Sequence, residues 1–553
     1  MLTLESPLAK SPAAAKQFPP ETGFNQSAVV LLGMVGAIQV SDPLIASLTL
    51  VKASAELNFT ASIQSLAAGI STLALAATAI LGGVLADKLG RRNLLFFSVF
   101  MAAAGELVTA SSMDATMYLL GRVISGVALG VTFGASYGML RNVASQKSLG
   151  PAMALFNIMN GVIPVVAVVL TGVLMGENWR LAWIMLPIYS MIVVWFIPFM
   201  LPKVEKVESG KMDIIGLVVV AIGITGILYG VSQASNGLEK PTFYVPVLVG
   251  IAGLALFGIR ESKSSNAVFP IKILAHPAFL GAVIMGTVWN LMNASMGQML
   301  PNFWQYVTHM KSSLIGAASL PESAAGILGS VIAGFMLGRG SKARTTSAIG
   351  YCLLVVGFLQ QALMVRPDSN YAIFLVGMVL AGAGWMMNAT SQGNLFIQLA
   401  PARYFGPVSS SKMMVGQFGY SLGLTGSTVL VSFFTLKGVH EASNGAVTGD
   451  GSWNAITDYM TNPNQTPADA ALAAISPDKM STIYTSAYTT TMLIVAIIGA
   501  MAGTAVYLLL KNKKADIPTD VFLGLTPETP AAAPAPAAKT KNAAKTATST
   551  KKK

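Results

Sequence analysis

The chain has 553 residues, of which 53% are hydrophobic and only 10% are charged. Water-soluble domains contain about 25% charged residues, so this composition excludes a soluble globular protein. The formal net charge is +12, which by itself suits an anionic partner such as a nucleic acid or a lipid surface.

Apolar runs of about 20 residues, the length that crosses a bilayer core, follow one another along the chain. Because lipid offers no partner for backbone groups, every such run is predicted to be a helix. We count fourteen runs, at roughly 27–49, 64–86, 94–112, 116–139, 150–174, 182–201, 213–233, 242–259, 278–300, 313–336, 346–365, 371–395, 408–435 and 486–510. The predicted fold class is an all-α polytopic membrane protein.

The basic residues concentrate on one side of the predicted membrane. With the N-terminus placed in the cytoplasm, the short inner connections contain sixteen Lys and Arg residues and the short outer connections contain five. This asymmetry follows the positive-inside rule and predicts that both termini are cytoplasmic. The basic charge is therefore interpreted as topology, and no nucleic-acid partner is expected.

The spacing of the runs divides the chain into blocks of six, two and six spans. The predicted parts are a cytoplasmic segment (1–26), an N-terminal six-helix bundle (27–201), a two-helix insertion with basic flanks (202–277), a C-terminal six-helix bundle (278–510) with a long outer loop (437–485), and a Lys-, Ala- and Pro-rich cytoplasmic tail (511–553). The composition of the tail predicts disorder. A single cysteine, Cys352, and the lack of phosphate-loop or zinc-ligand patterns predict no cofactor, no metal and no enzyme activity.

Few ionisable residues fall inside the predicted spans, where they are costly and usually functional. Arg122 is the one basic residue inside a span, and the carboxylates are Asp42, Glu106 and Glu322. The guanidinium of Arg122 cannot lose its proton, so it requires a carboxylate or carbonyl partner, and Asp42 is the expected one. The alternative is a structural ion pair that anchors the fourth span. Pro43 is expected to break the first helix locally.

The other two carboxylates have competing interpretations. Glu322 follows Pro321 in the tenth span, where it either lines a cavity and binds a cationic substrate or is a structural residue near the outer boundary. Glu106, in the third span, is interpreted as structural. Aromatic and amide side chains at helical spacing on the ninth and twelfth spans suit an amphipathic ligand, although interhelical hydrogen bonding explains them too. These candidate substrate residues are Trp289, Asn290, Asn293, Trp385, Asn388 and Gln392.

The connection at residues 83–92, Gly-Val-Leu-Ala-Asp-Lys-Leu-Gly-Arg-Arg, turns between the second and third spans. It resembles the signature loop of the major facilitator superfamily, and the matching residues are Gly83, Asp87, Gly90, Arg91 and Arg92. The resemblance implies that this loop gates the conformational change. The arrangement of six, two and six spans resembles that of the fourteen-spanner drug:proton antiporter branch. Asp42 in the first span and Arg122 in the fourth resemble charged residues of the motifs in that branch.

The resemblance implies two pseudo-symmetric bundles that rock around a midplane site. It implies proton-coupled export of amphipathic or cationic small molecules, with Asp42 as proton carrier, Arg122 tuning it, and Glu322 with the two polar faces contacting substrate. The expected setting is a bacterial-type plasma membrane, and the expected partners are protons, lipids and a small-molecule or lipid substrate, with the chain a monomer. Two alternatives remain open. One is lipid or glycolipid translocation. It is favoured by 29 methionines and by a fifth span that retains only scattered pieces of the motif expected there in the antiporter branch. The other is a membrane scaffold or sensor.

Overall fold

A computed structural model describes residues 23–145, 149–203, 214–234, 237–263, 270–401, 405–448, 452–463, 467 and 469–525. Within these ranges the regular structure is helical, apart from one isolated bridge between Phe24 and Ala144. Residues 1–22, most of the first basic linker and residues 526–553 lie outside the described residues. The disorder predicted for the whole tail was wrong for its first part, which forms two short helices, Lys513–Asp516 and Thr519–Phe522. The Ile517 carbonyl lies 2.9 Å from a ring nitrogen of His276, so this part of the tail is held against the C-terminal bundle.

The long helices are numbered along the chain. The first six are α1 (Gln26–Glu56), α2 (Ala61–Leu89), α3 (Arg91–Ala110), α4 (Ala115–Val143), α5 (Leu149–Glu177) and α6 (Trp179–Met200). The next are α7 (Ile214–Ser232), α8 (Pro241–Lys263), α9 (Pro277–Tyr306) and α10, which has two pieces (Ser312–Ala318 and Leu320–Gly338). The last are α11 (Ala343–Met364), α12 (Tyr371–Leu399), α13 (Phe405–Ala442) and α14 (Pro477–Lys511).

Length and apolarity make most of these helices membrane spans. In the described part of the chain thirteen helices are long and apolar enough to cross a bilayer, and α7 contains a shorter apolar stretch, Val218–Ser232. The all-helical membrane fold is thereby confirmed, whereas fourteen crossings stay a prediction.

Polar residues at the starts of the helices explain where several of them begin. The side chains of Asn25, Thr60 and Asp114 accept hydrogen bonds from backbone amides of the first turns of α1, α2 and α4. Such caps satisfy amides that have no partner within the helix. The expected break at Pro43 was wrong, because α1 is continuous from Gln26 to Glu56. Proline removes one backbone hydrogen bond, but the packed neighbours hold this helix together.

Two main hydrophobic cores correspond to the two halves of the chain. One is built chiefly from α1–α6 and the other chiefly from α9–α14. Helix α7 packs against α2 and α13 through a small third core that includes Leu73, Val220 and Ile224. Helices α7 and α8 approach closely at Gly226 and Gly250, where an added Cβ at Gly226 would lie 2.7 Å from a backbone oxygen.

Contacts between the halves lie toward the end of the bundles that bears the long 437–485 connection. Ser421 donates to the Gly69 carbonyl at 2.7 Å, and Gln305 donates to the Leu48 carbonyl at 3.4 Å. Helices α5 and α10 meet at Gly316, where an added Cβ would lie 2.3 Å from a carbonyl oxygen of α5. The halves are therefore closed against each other at this end.

The long connection itself is partly helical. Helix α13 extends to Ala442 and α14 begins at Pro477, so both run well beyond the apolar stretches expected from the sequence. A short helix, Trp453–Thr461, lies between them, and its first residue donates an indole hydrogen bond of 2.8 Å to Gln64 in α2. Ile456, Tyr459 and Met460 of the same helix pack in the C-terminal core, so the connection contacts both bundles.

Candidate functional site

A buried ion pair joins α1 to α4 inside the N-terminal bundle. The Nη1 atom of Arg122 donates to Oδ1 of Asp42 at 2.5 Å, and the two side chains are 0% and 1% exposed. The Ser71 hydroxyl of α2 donates to the other oxygen, Oδ2, at 2.9 Å. Three helices therefore converge on one carboxylate, and the partner predicted for Arg122 from the sequence is the one it has.

The guanidinium of Arg122 has a second contact and unused donors. It lies over the ring of Trp183 in α6, 4.6 Å from the centroid, a cation–π geometry. Among the residues that the structure describes, its Nε and Nη2 atoms have no hydrogen-bond partner. The arginine can thus form further hydrogen bonds without leaving the bundle.

The glycines that follow Arg122 at intervals of four bring α2 against α4. A Cβ added at Gly126 would lie 2.2 Å from the Ser71 carbonyl oxygen, and one at Gly134 would lie 2.4 Å from the Gly83 amide nitrogen. Such close backbone approach requires glycine. The stripe predicted from the sequence therefore places Ser71, and with it α2, next to Asp42.

The 83–92 connection braces the other end of the same helices. Gly90 has a φ of +91° and separates α2 from α3, a conformation that suits glycine. Arg91 donates to Asn142 near the end of α4 at 3.4 Å, and Arg92 donates to the Pro198 carbonyl at the end of α6 at 3.3 Å. The side chain of Asp87 lies outside the described residues, so its predicted pairing across the turn stays a prediction.

In the C-terminal half, two tryptophans predicted as substrate residues stack on each other. The rings of Trp289 in α9 and Trp385 in α12 are 5.7 Å apart with an interplanar angle of 18°. The indole of Trp289 donates to Oε1 of Gln392 at 3.1 Å. In the described part of the chain, the indole nitrogen of Trp385 and Nε2 of Gln392 have no partner. This cluster has a flat apolar face and free hydrogen-bond donors.

The three predicted asparagines are not equivalent. Asn388 is fully buried. It packs against α11, where a Cβ added at Gly350 would lie 2.6 Å from its Nδ2 atom. Asn290 lies against α13 at Gly416 and donates to the Gly286 carbonyl at 2.7 Å. Asn293 is only half-buried. The structure therefore leaves Asn293 the most accessible of the three, and it places Asn388 in a helix–helix contact.

Glu322 lies where α10 restarts after its interruption at Ser319. It occupies the first turn of Leu320–Gly338, beside Pro321, so the opened turn expected from the sequence is present. The backbone of this turn packs against α12, where a Cβ added at Gly382 would lie 2.2 Å from the Glu322 carbonyl oxygen. One turn further along α10, a Cβ added at Gly326 would lie 3.5 Å from the Trp385 ring.

Two side chains that contact the ion pair carry no sequence motif that marks them as functional. Ser71 donates to Asp42 and Trp183 lies under the guanidinium of Arg122, but small polar and aromatic residues are common in such helices. Glu106 differs, because its intramembrane charge singles it out in the sequence. It is fully buried in the same bundle as the pair.

Known proteins are similar to this chain over more than half of its length. The sequence profile described as Major Facilitator Superfamily matches residues 28–424. A multidrug resistance protein B homolog of Mycobacterium tuberculosis is 26% identical over 370 residues, which are 65% of this chain and 68% of that protein. The lincomycin resistance protein LmrB of Bacillus subtilis is 25% identical over 314 residues, 56% of this chain and 63% of that protein.

Solved structures share the fold at low sequence identity. A bacterial homolog of the human lysosomal transporter Spinster has a TM-score of 0.61 at 14% identity, covering 91% of this chain and 98% of its own. A peptide transporter, POT, in complex with sulfate has a TM-score of 0.59 at 12% identity, covering 90% and 99%. The profile match spans most of the chain, and on that basis this multi-span helical protein belongs to the major facilitator superfamily of membrane transporters.

Proposed function

We propose that the chain is a secondary active transporter that couples proton movement to the export of amphipathic or cationic small molecules. The observation that carries this proposal is the buried Asp42–Arg122 pair, held at 2.5 Å with Ser71 as a third partner. Protonation of Asp42 would remove the negative charge that holds Arg122 and Ser71 and would release both together. That release links one proton to the packing of α1, α2 and α4.

The substrate class is inferred from the C-terminal half. The stacked pair of Trp289 and Trp385 offers a flat apolar surface, Gln392 supplies an amide, and Glu322 supplies a carboxyl group. Aromatic faces and a carboxylate together suit an amphipathic cation. Relatives named for multidrug resistance and lincomycin resistance support this class. We assign Asn293 to the same surface and place Asn290 and Asn388 behind it.

Membrane orientation and assembly complete the proposal. The concentration of basic residues in alternate connections places both termini in the cytoplasm and the 437–485 connection outside, in a bacterial plasma membrane. Transport then proceeds by alternating access, with the two bundles rocking around the midplane and the 83–92 loop bracing the inner end. The bundles bury their cores within one chain, which suits a monomer that contacts lipids, protons and substrate.

Proteoliposomes that contain the purified full chain test the proposal. A pH gradient with an acidic lumen should drive accumulation of ethidium, a cationic amphiphile, and the exchange of protons for ethidium should alkalinise the lumen. Asp42→Asn should abolish this coupled flux because the amide cannot exchange a proton. Asp368→Asn, at an exposed aspartate, is the matched control and should transport normally.

The same vesicles discriminate the alternatives. Normal proton-coupled flux in Asp42→Asn would remove Asp42 from the mechanism. Movement of a labelled lipid between leaflets, without any ethidium flux, would support a lipid translocator. Neither activity in a correctly folded preparation would favour the scaffold or sensor.

A further inference from the structure

Glu106 is a buried carboxyl that the proposed mechanism does not yet use. It lies in α3, one residue after Gly105, and its side chain is 0% exposed. Two glycines press α3 against α4 at this level. A Cβ at Gly105 would lie 2.4 Å from the Ser125 amide, and one at Gly121 would lie 2.5 Å from the Thr109 hydroxyl. Because Gly121 precedes Arg122, this approach sets Glu106 and Arg122 on adjoining turns of two packed helices.

The polar groups around Glu106 come from every helix packed near it. Asp42 of α1, Arg122 of α4 and Ser190 of α6 are buried in the same bundle, at 1%, 0% and 0% exposure. Tyr118 of α4 is also fully buried there, and its ring packs edge-on against Trp183, the indole over which Arg122 lies. Within the described residues, neither oxygen of Glu106 has a partner in full hydrogen-bond geometry.

Among the residues with described side chains, Arg122 has hydrogen-bond donors without partners, and Glu106 has acceptors without partners. Arg122 uses one terminal nitrogen on Asp42 and leaves Nε and Nη2 without a partner in the described part of the chain. Glu106 leaves both oxygens without one. A rotation of the guanidinium away from Asp42 would free these donors to pair with Glu106.

Charge counting shows why both carboxyls cannot be ionised together. Two carboxylates and one guanidinium would leave one uncompensated negative charge in a site that excludes water, which is strongly unfavourable. One proton on either carboxyl makes the group neutral. With Arg122 paired to Asp42, that proton belongs on Glu106.

We propose that Glu106 is a second proton-binding residue. During the transport cycle Arg122 pairs alternately with Asp42 and with Glu106. A proton from water binds Asp42, the guanidinium turns to Glu106, and the proton held by Glu106 leaves to water. The group is neutral before and after this exchange, and it carries one net positive charge only while both carboxyls hold a proton. Reversal of these steps restores the first state. The inference deepens the proposed proton-coupled function and rests on it for its physiological meaning.

Infrared difference spectroscopy of the purified full chain, without substrate, tests the charge exchange directly. A protonated buried carboxyl has a carbonyl stretch that an ionised one lacks. Glu322→Gln is used as the parent, so that the other carboxyl within a predicted C-terminal span does not contribute. Adding Glu106→Gln should remove one protonated-carboxyl band at neutral pH. Adding Asp42→Asn should remove the same band, because Glu106 then ionises to compensate Arg122.

The second comparison leaves Glu106 in place, so it stays informative even where Glu106→Gln fails to fold. If the protonated-carboxyl band persists after Asp42→Asn, the proposed exchange is wrong. It is also wrong if Glu106→Gln leaves the spectrum of the parent unchanged. Because no transport is measured, this result is independent of the proposed function. An intact exchange in a protein that moves no substrate would refute the function and leave the inference standing.

Transport provides a second test, because a residue with a purely structural role would change proton-driven flux and gradient-free exchange to the same extent. Glu106→Gln should lower proton-driven ethidium flux at least about tenfold, the equivalent of about 1.4 kcal/mol of lost charge compensation. Ethidium exchange without a proton gradient should persist. Glu106→Asp should restore part of the coupled flux. Equal losses of driven flux and exchange in both variants would indicate a packing role and overturn the proposal.

Discussion

Replacement of Arg122 by alanine tests the ion pair on which the mechanism depends. The two side chains are 0% and 1% exposed, so water cannot compensate the carboxylate of Asp42 once its partner is removed. Loss of one member of a buried pair typically costs about 3–5 kcal/mol of folding free energy. Loss of the desolvated cation–π contact with Trp183 adds up to about 2 kcal/mol. Arg122→Lys keeps the charge and should lose less, although it cannot reproduce the planar contact with the indole.

The measurement is the thermal unfolding midpoint of each purified variant in detergent, with expression level and ethidium transport alongside. Arg122→Ala should unfold at a clearly lower temperature than Arg122→Lys, and neither should transport normally. The double variant Arg122→Ala/Asp42→Asn should regain much of the lost stability, because it buries no unpaired charge. Arg180→Ala is the matched control, since its pair with Glu56 is 25% and 50% exposed and exposed pairs contribute about 0–1 kcal/mol.

Equal midpoints and equal transport in the alanine and lysine variants would refute the reasoning, because they would show that Arg122 is unpaired or solvated. A double variant as unstable as Arg122→Ala would also contradict it. In that case lost packing of the long arginine side chain, and not an uncompensated carboxylate, would explain the destabilisation.

Three further substitutions test other parts of the molecule. Glu322→Gln should lower the ratio of cationic to neutral substrate export about tenfold, the equivalent of about 1.4 kcal/mol of charge pairing, measured with a matched pair of compounds in cells. Gly134→Ala should lower the unfolding midpoint, at a cost of about 1–3 kcal/mol, because its Cβ would lie 2.4 Å from the Gly83 amide. Trp453→Phe should cost about 0.5–1.5 kcal/mol by removing the hydrogen bond to Gln64, measured as faster proteolysis of the 437–485 connection.

Each of the three has an outcome that would count against it. An unchanged cation-to-neutral ratio would make Glu322 structural. Gly161→Ala is the control for Gly134→Ala, since nothing lies within 4 Å of the added Cβ, and equal midpoints in the two would show that α2 and α4 can separate freely. Unaltered proteolysis of Trp453→Phe would mean that the connection docks without this hydrogen bond.

The sequence alone was sufficient for the features that depend on local composition. Bilayer thickness sets the length of an apolar helix, so the spans could be located, and short polar side chains mark several of their starts. The burial cost of charge in lipid singled out Asp42 and Arg122, and the need of the guanidinium for a carboxylate or carbonyl partner led to the pairing that the structure shows. The Gly90 turn and the glycine stripe after Arg122 follow from rules that concern single residues and one helical period.

The tertiary structure alone decided how each helix is rotated and which side chains meet. Asn388 and Asn293 come from similar helical patterns, yet one is buried against α11 and the other is accessible. Pro43 leaves α1 unbroken because neighbouring helices hold it. Its position in the third span led to a structural interpretation of Glu106, but Gly105 and Gly121 bring α3 and α4 so close that Glu106 and Arg122 lie on adjoining turns of packed helices. Apolar periodicity in a membrane cannot reveal such pairings, because lipid and protein interiors are equally apolar and only close packing between helices selects the faces that touch.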